Sequence, residues 1–127
     1  VAQVDGFRPV NPMEENHLKT LRESGLKVLF ATHVLSGAER GISKKFGGVY
    51  PVEIIANTLR MLGQGTKVCV EVGTMALDGR LIPKNEQIIA VGGTGKGADT
   101  AVVMVPAHAA EIMDTKIDEI ICKPKLS

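Results

Sequence analysis

Aromatic residues are scarce in this chain: three Phe, one Tyr and no Trp amount to 3% of 127 residues. Base-stacking platforms for single-stranded nucleic acid are therefore nearly absent, and the core has to be aliphatic. Charge of one sign is lacking too. Fifteen Lys and Arg face fourteen Asp and Glu, for a net charge of +1, so nothing draws the chain as a whole to nucleic acid or to acidic membranes. No apolar run approaches membrane-spanning length, and no signal peptide is visible. The two cysteines, Cys69 and Cys122, have no C-x-x-C spacing; they read as reduced, buried thiols on strands, which fits a cytoplasmic setting. His17, His33 and His108 are scattered without metal-ligand spacing. A nucleophile elbow is missing as well: Ser36 precedes Gly37 but has Val34, not glycine, two residues back.

What is present fits one domain spanning residues 1–127, with 44% apolar residues and no need of a disulfide or metal staple. Its centre is the stretch Ile88–Val105. Two β-branched runs, Ile88–Val91 and Thr100–Val105, flank the glycine-rich Gly92–Asp99, which reads as strand, loop, strand. Gly92, Gly93, Gly95 and Gly97 would let backbone N–H groups converge on an anion; Lys96 would add positive charge, with Thr94, Asp99 and Thr100 alongside. The other reading is a flexible glycine turn. A P-loop is excluded, because Ala90 stands where its first glycine belongs and Gly97 where Ser or Thr belongs. Gly93-x-Gly95-x-x-Ala98 matches the looser dinucleotide fingerprint, but the segment after it looks extended and ends at Pro106, so no helix receives a pyrophosphate.

Along the chain, Asn11-Pro12 reads as a helix start, with Glu14 and Glu15 in the first turn and Gly25 as the stop. Lys27–His33 reads as a strand covered on both faces. Ser36-Gly-Ala-Glu39 has the capping-box pattern, so a helix should start at Ser36 and stop at Gly47-Gly48. Another should begin at Pro51 and end at Gly63. Lys67–Val72 alternates three valines with Lys67, Cys69 and Glu71 and reads as a strand, with a turn at Asp78-Gly79. A brief helix over Ala107–Met113 and a last strand over Glu119–Cys122 complete the chain. The two strands around the glycine loop are too close in sequence for a parallel crossover, so they pair antiparallel within a mixed sheet.

A second anion-site candidate lies at His33, Ser36, Gly37 and Arg40, where a strand end meets a helix start and Lys44 follows Arg40 one turn on. The alternative is a solvated basic helix face. Glu71 reads as a solvent-facing residue of a one-sided strand; as a buried group it would be a base or a ligand anchor. His108, just after Pro106-Ala107, is placed at a pocket rim.

Two stretches carry a family resemblance. One is His33-Val-Leu-Ser-Gly-Ala-Glu-Arg-Gly-Ile-Ser-Lys-Lys-Phe-Gly-Gly48. The other begins at Lys67-Val-Cys-Val-Glu-Val72, with Met75-Ala76 and Asp78, and continues through Ala90–Val103, Pro106-Ala-His108 and Glu119-Ile-Ile-Cys-Lys-Pro124. They resemble a family of small, mainly archaeal conserved proteins related to the C-terminal α/β domain of pyruvate kinase. The resemblance implies a three-layer α/β/α sandwich with a mixed, mostly parallel sheet, and no pyruvate kinase activity, because the catalytic barrel is absent. It implies flavin mononucleotide (FMN), or another small phosphorylated ligand, as the bound compound. Relatives carry a further strand–helix unit before the point where this chain starts at Val1. The expectation is accordingly a domain lacking its first strand–helix unit, and oligomeric or aggregation-prone in isolation. Three functional expectations follow: a phosphorylated-ligand-binding domain, a regulatory or assembly module without chemistry, or a flavin-dependent enzyme.

Overall fold

The computed structural model describes residues 1–3, 13–95 and 97–127. The Asn11-Pro12 helix start and Lys96 lie outside the described residues. The chain forms a mixed α/β domain. In order, β1 (Ala2–Gln3), α1 (Glu15–Glu23), β2 (Phe30–Ala31), α2 (Ala38–Phe46), α3 (Pro51–Arg60) and α4 (Gln64–Asp78) are followed by β3 (Ile88–Gly92), β4 (Thr100–Val105), a 3-10 helix (Ala109–Asp114) and β5 (Lys116–Cys122).

The strands β3, β4 and β5 make a three-stranded sheet that is antiparallel throughout, with Ala90 opposite Val102. One face packs on α4. Cys69 of α4 meets Ala90, Val102 and Met104 of the sheet in an aliphatic core, as the shortage of aromatics requires. Val102 and Met104, fully buried, contribute about 1.5–3 kcal/mol each. On the opposite face Ile89 and Val91 are 64% and 53% exposed. Parallel pairing among the described residues is confined to β1 and β2, where Ala2 lies opposite Phe30 and Gln3 opposite Ala31.

Helix α4 overturns one expectation. Lys67–Val72 is helical, not a strand, so the mostly parallel arrangement is not what β3–β5 form. Val68, Val70 and Val72 have a local preference against helix of only a few tenths of a kcal/mol each. Packing outweighs it. Gly65, Cys69 and Gly73 recur every fourth residue, so they line one helix face and let α4 approach the sheet closely. A Cβ on Gly65 would lie 2.6 Å from Thr100 Cβ, and one on Gly73 3.0 Å from Met104 Cε.

Other expectations stand with shifted bounds. The strands flanking the glycine loop form an antiparallel hairpin. α2 stops at Gly47, whose φ is +77°, and α3 starts at Pro51. The strand read over Lys27–His33 shrinks to Phe30–Ala31, and the last strand lengthens to Lys116–Cys122. The capping box does not form. α2 starts at Ala38 behind Gly37 with no side-chain cap, while Glu39 Oε1 accepts the backbone N–H of Glu53 at 2.9 Å. The glutamate of α2 thus satisfies an otherwise unpaired donor in the first turn of α3 and ties the two helices together.

Candidate functional site

The chain leaving β2 turns at once, with the Ser36 N–H donating to His33 O at 3.0 Å. The turn presents the His33 side chain and the Leu35 N–H to α4. Glu71 receives both. Its Oε1 accepts the Leu35 N–H at 3.1 Å and lies 2.7 Å from Lys67 Nζ, and its Oε2 lies 2.9 Å from His33 Nδ1. Glu71 is 0% exposed and Lys67 2%. The expectation that Glu71 faces solvent is therefore corrected: the helix turns it inward, where the Leu35 N–H bonds Oε1 and the Lys67 and His33 side chains lie beside its two oxygens in place of water.

Burial drives the Glu71 carboxyl upward, but hydrogen bonds from His33 and Lys67 and the Lys67 charge outweigh it, so its pKa falls below the ordinary carboxylate value. Lys67 also falls below its ordinary value. Burial is the main cause, opposed by Glu71 and reinforced by the positive charges of Arg60 and Arg40. The asymmetry follows from the surroundings, because Glu71 faces Lys67 and His33 whereas Lys67 has one carboxylate and two guanidinium groups nearby.

Those guanidinium groups line a cleft of about 310 Å³ between α2 and α3. Leu35 contributes to its lining, and so ties the cleft to the buried Glu71. Arg40, Ser43 and Lys44 come from α2, Glu53, Asn57 and Arg60 from α3. Arg60 is held in place: its Nε donates to Gln64 Oε1 at 2.7 Å and its Nη1 to Asn57 Oδ1 at 3.0 Å. Glu53 is hydrogen-bonded by the Ser43 hydroxyl. The Arg40 and Arg60 guanidinium groups outnumber the Glu53 carboxylate in this lining, and a guanidinium fork is suited to an oxyanion.

The glycine stretch lies elsewhere. It is the hairpin connection between β3 and β4, closed by the Asp99 N–H donating to Gly92 O at 3.0 Å. Gly95 and Gly97 have φ of +67° and +74° and open space around them, and Thr94 is exposed. Gly92 and Gly93 are explained by packing: added Cβ atoms would lie 2.9 Å from Gly65 O and 3.0 Å from Ala98 Cα. Asp99 Oδ1 accepts the Thr100 hydroxyl at 2.6 Å. No described residue of 92–100 lines the cleft. Both stretches meet α4, the hairpin through Gly65 and Cys69, the His33–Leu35 turn through Glu71.

Sequence reasoning missed Lys67, Ser43, Asn57 and Arg60. The signal for Lys67 and Glu71 was their spacing of four, which puts them on one helix face, whereas period-two reading put them on a strand. Among the described residues no group of three or more His, Cys, Asp or Glu side chains could hold a metal, and no helix is long and apolar enough to cross a membrane. A scan against protein-family models found no match to this chain.

Proposed function

We propose that this chain is a small-ligand-binding α/β domain whose ligand carries a phosphate, FMN being the compound implied by the resemblance to the pyruvate kinase C-terminal domain relatives, and that it has no pyruvate kinase activity. The observation that carries the reading is the α2–α3 cleft, where Arg40, Lys44 and Arg60 converge beside the buried Lys67–Glu71–His33 group. A phosphate fits this donor set. At about 310 Å³ the cleft sits at the small end of ligand pockets, which span about 300–1,000 Å³. It has room for the phosphate and the carbons next to it, and the isoalloxazine rings would lie outside, over the exposed faces of α2 and α3. The glycine loop is left as a hairpin turn in this reading.

The same resemblance supports a three-layer sandwich in the assembled protein, with a further layer over the face that exposes Ile89 and Val91. That exposed face favours the assembly-module reading as the second one, with a further copy of the chain as the covering layer. Titration calorimetry with FMN and with inorganic phosphate separates the two. Arg40→Ala should weaken both ligands about tenfold or more, because hydrogen bonds to charged groups are worth about 1.5–3 kcal/mol. Gly95→Val should bind like the parent. Equal binding by Arg40→Ala and the parent, with loss in Gly95→Val, would return the phosphate to the loop. No binding of either ligand, together with a concentration-dependent dimer, leaves the assembly reading.

A further inference from the structure

At the far end of α4 lies a second cleft, of about 580 Å³, lined in part by Lys27, Arg80, Lys84 and His108. None of its lining residues is shared with the α2–α3 cleft. We infer that this cleft is a separate binding site for a small organic oxyanion, a phosphate ester or carboxylate with an apolar body, gripped by Arg80 and His108.

Three observations converge. The first is the orientation of His108. Asp78 Oδ1 lies 2.7 Å from His108 Nδ1, and Asp78 Oδ2 accepts the Ala109 N–H at 3.3 Å. The carboxylate is thus fixed at both oxygens and holds the imidazole through Nδ1, leaving Nε2 for a ligand in the cleft. Such a carboxylate–imidazole pair sets the tautomer and the direction of the ring.

The second is the placement of Arg80. The Arg80 N–H donates to Leu77 O at 3.0 Å and the Leu81 N–H to Ala76 O at 2.9 Å, the double bond pattern that closes a helix through a left-handed residue. That residue is usually glycine, because a Cβ is disfavoured there. Here it is Arg80, with φ of +58°. The neighbouring glycine, Gly79, is explained separately, since a Cβ on it would lie 3.1 Å from Leu29 Cδ2. An arginine held in a strained conformation beside a cleft is what a functional requirement for its side chain would leave behind.

The third is the balance of charge and surface. Lys84 is paired with Glu111 at 2.9 Å and His108 with Asp78, while Lys27 Nζ bonds a neutral carbonyl, Leu81 O, at 2.9 Å. Among the described residues Arg80 has no acidic partner at salt-bridge distance. The lining therefore carries uncompensated positive charge from Lys27 and Arg80. Leu77, Ile82 and Pro83 supply the apolar wall, which selects an anion with a hydrocarbon part over a bare ion.

The test uses phenyl phosphate, benzoate and inorganic phosphate as probes on the full chain, with calorimetry and imidazole NMR. Phenyl phosphate or benzoate should shift the His108 ring resonances and bind more tightly than inorganic phosphate; whichever of the two binds better identifies the head group. His108→Gln and Arg80→Gly should each weaken that binding by about tenfold, while Arg40→Ala leaves the His108 ring shifts unchanged. Arg80→Gly should also raise the melting temperature, because glycine accepts the left-handed conformation, so weaker binding there cannot be put down to unfolding. The inference is overturned if neither aryl probe moves the His108 signals, or if Arg80→Gly binds both like the parent. Loss of aryl-probe binding in Arg40→Ala alone would overturn it too, and would assign the probe to the α2–α3 cleft.

Discussion

Lys67 Nζ and Glu71 Oε1 lie 2.7 Å apart on successive turns of α4, with both side chains shut away from solvent. A pair at this spacing on an exposed helix is worth only about 0.3–0.5 kcal/mol. Burial changes its standing, because removing one partner strands the other charge in a low-dielectric surround. Glu71 also holds the turn after β2 through Leu35 and His33, so the pair fixes one wall of the proposed phosphate cleft.

Lys67→Met is expected to destabilise the fold by about 3–5 kcal/mol, measured by urea unfolding. Lys19 and Glu23 supply the comparison: also four apart, 3.8 Å from each other, but on the exposed face of α1. Lys19→Met should change stability by less than about 0.5 kcal/mol. Similar losses in the two variants would show that the α4 pair is not isolated from water.

Stability should fall in acid through Glu71. Its folded pKa lies below the ordinary 4.5, so between the two values the unfolded chain binds more protons, and stability drops as pH falls through that window. Lys67, whose folded pKa lies below 10.5, acts with the same sign at the alkaline end: stability rises with pH there, because the folded chain has released a proton that the unfolded chain retains. Glu71→Gln should therefore lose the acid dependence due to this group, and its stability curve should approach the parent's below pH 4.5. A gap between parent and variant that stays constant from neutral pH into acid would contradict this.

Gly65→Ala should be far more damaging than Gly73→Ala, although both glycines face the sheet. The first added Cβ meets the Thr100 Cβ at 2.6 Å and Asp99 Oδ1 at 2.7 Å, at the root of the hairpin. The second meets the flexible tip of Met104 at 3.0 Å and Pro106 Cβ at 3.2 Å, both longer than the contacts of the first. Overpacking of the first kind costs about 1–3 kcal/mol or more, against well under that for the second. Thermal unfolding of the two variants decides it, and equal shifts would mean that α4 can slide along the sheet.

Only one of the two thiols should react in the folded protein. Burial, with a smaller contribution from the Asp99 charge, pushes the Cys69 thiol up to about 11, and its Sγ donates to Ala90 O at 3.4 Å. Cys122 is exposed at the end of β5. A thiol-specific reagent near neutral pH should label Cys122 rapidly and Cys69 only on unfolding. The expectation of a buried pair of thiols on strands fails for Cys122 by exposure and for Cys69 by its helix.

Elements whose signals are local were legible before any contact was known. Gly47 ends α2 because the chain must turn left-handed there, Pro51 opens α3 because its missing N–H needs no partner, and the β-branched runs on either side of Gly92–Asp99 pair as a hairpin. Arg40, singled out as part of an anion-site candidate, lines the α2–α3 cleft, and His108 lines the cleft at the end of α4. Tertiary structure alone decided α4. Val68, Val70 and Val72 favour a strand locally, and only the sheet, against which Gly65, Cys69 and Gly73 must lie, makes the helix the better state. With that helix came everything sequence order conceals. Glu71 turned inward rather than to solvent, and a cleft gathered Arg40 and Arg60 from different helices, because charge and burial depend on distances that the chain sets only once it is packed.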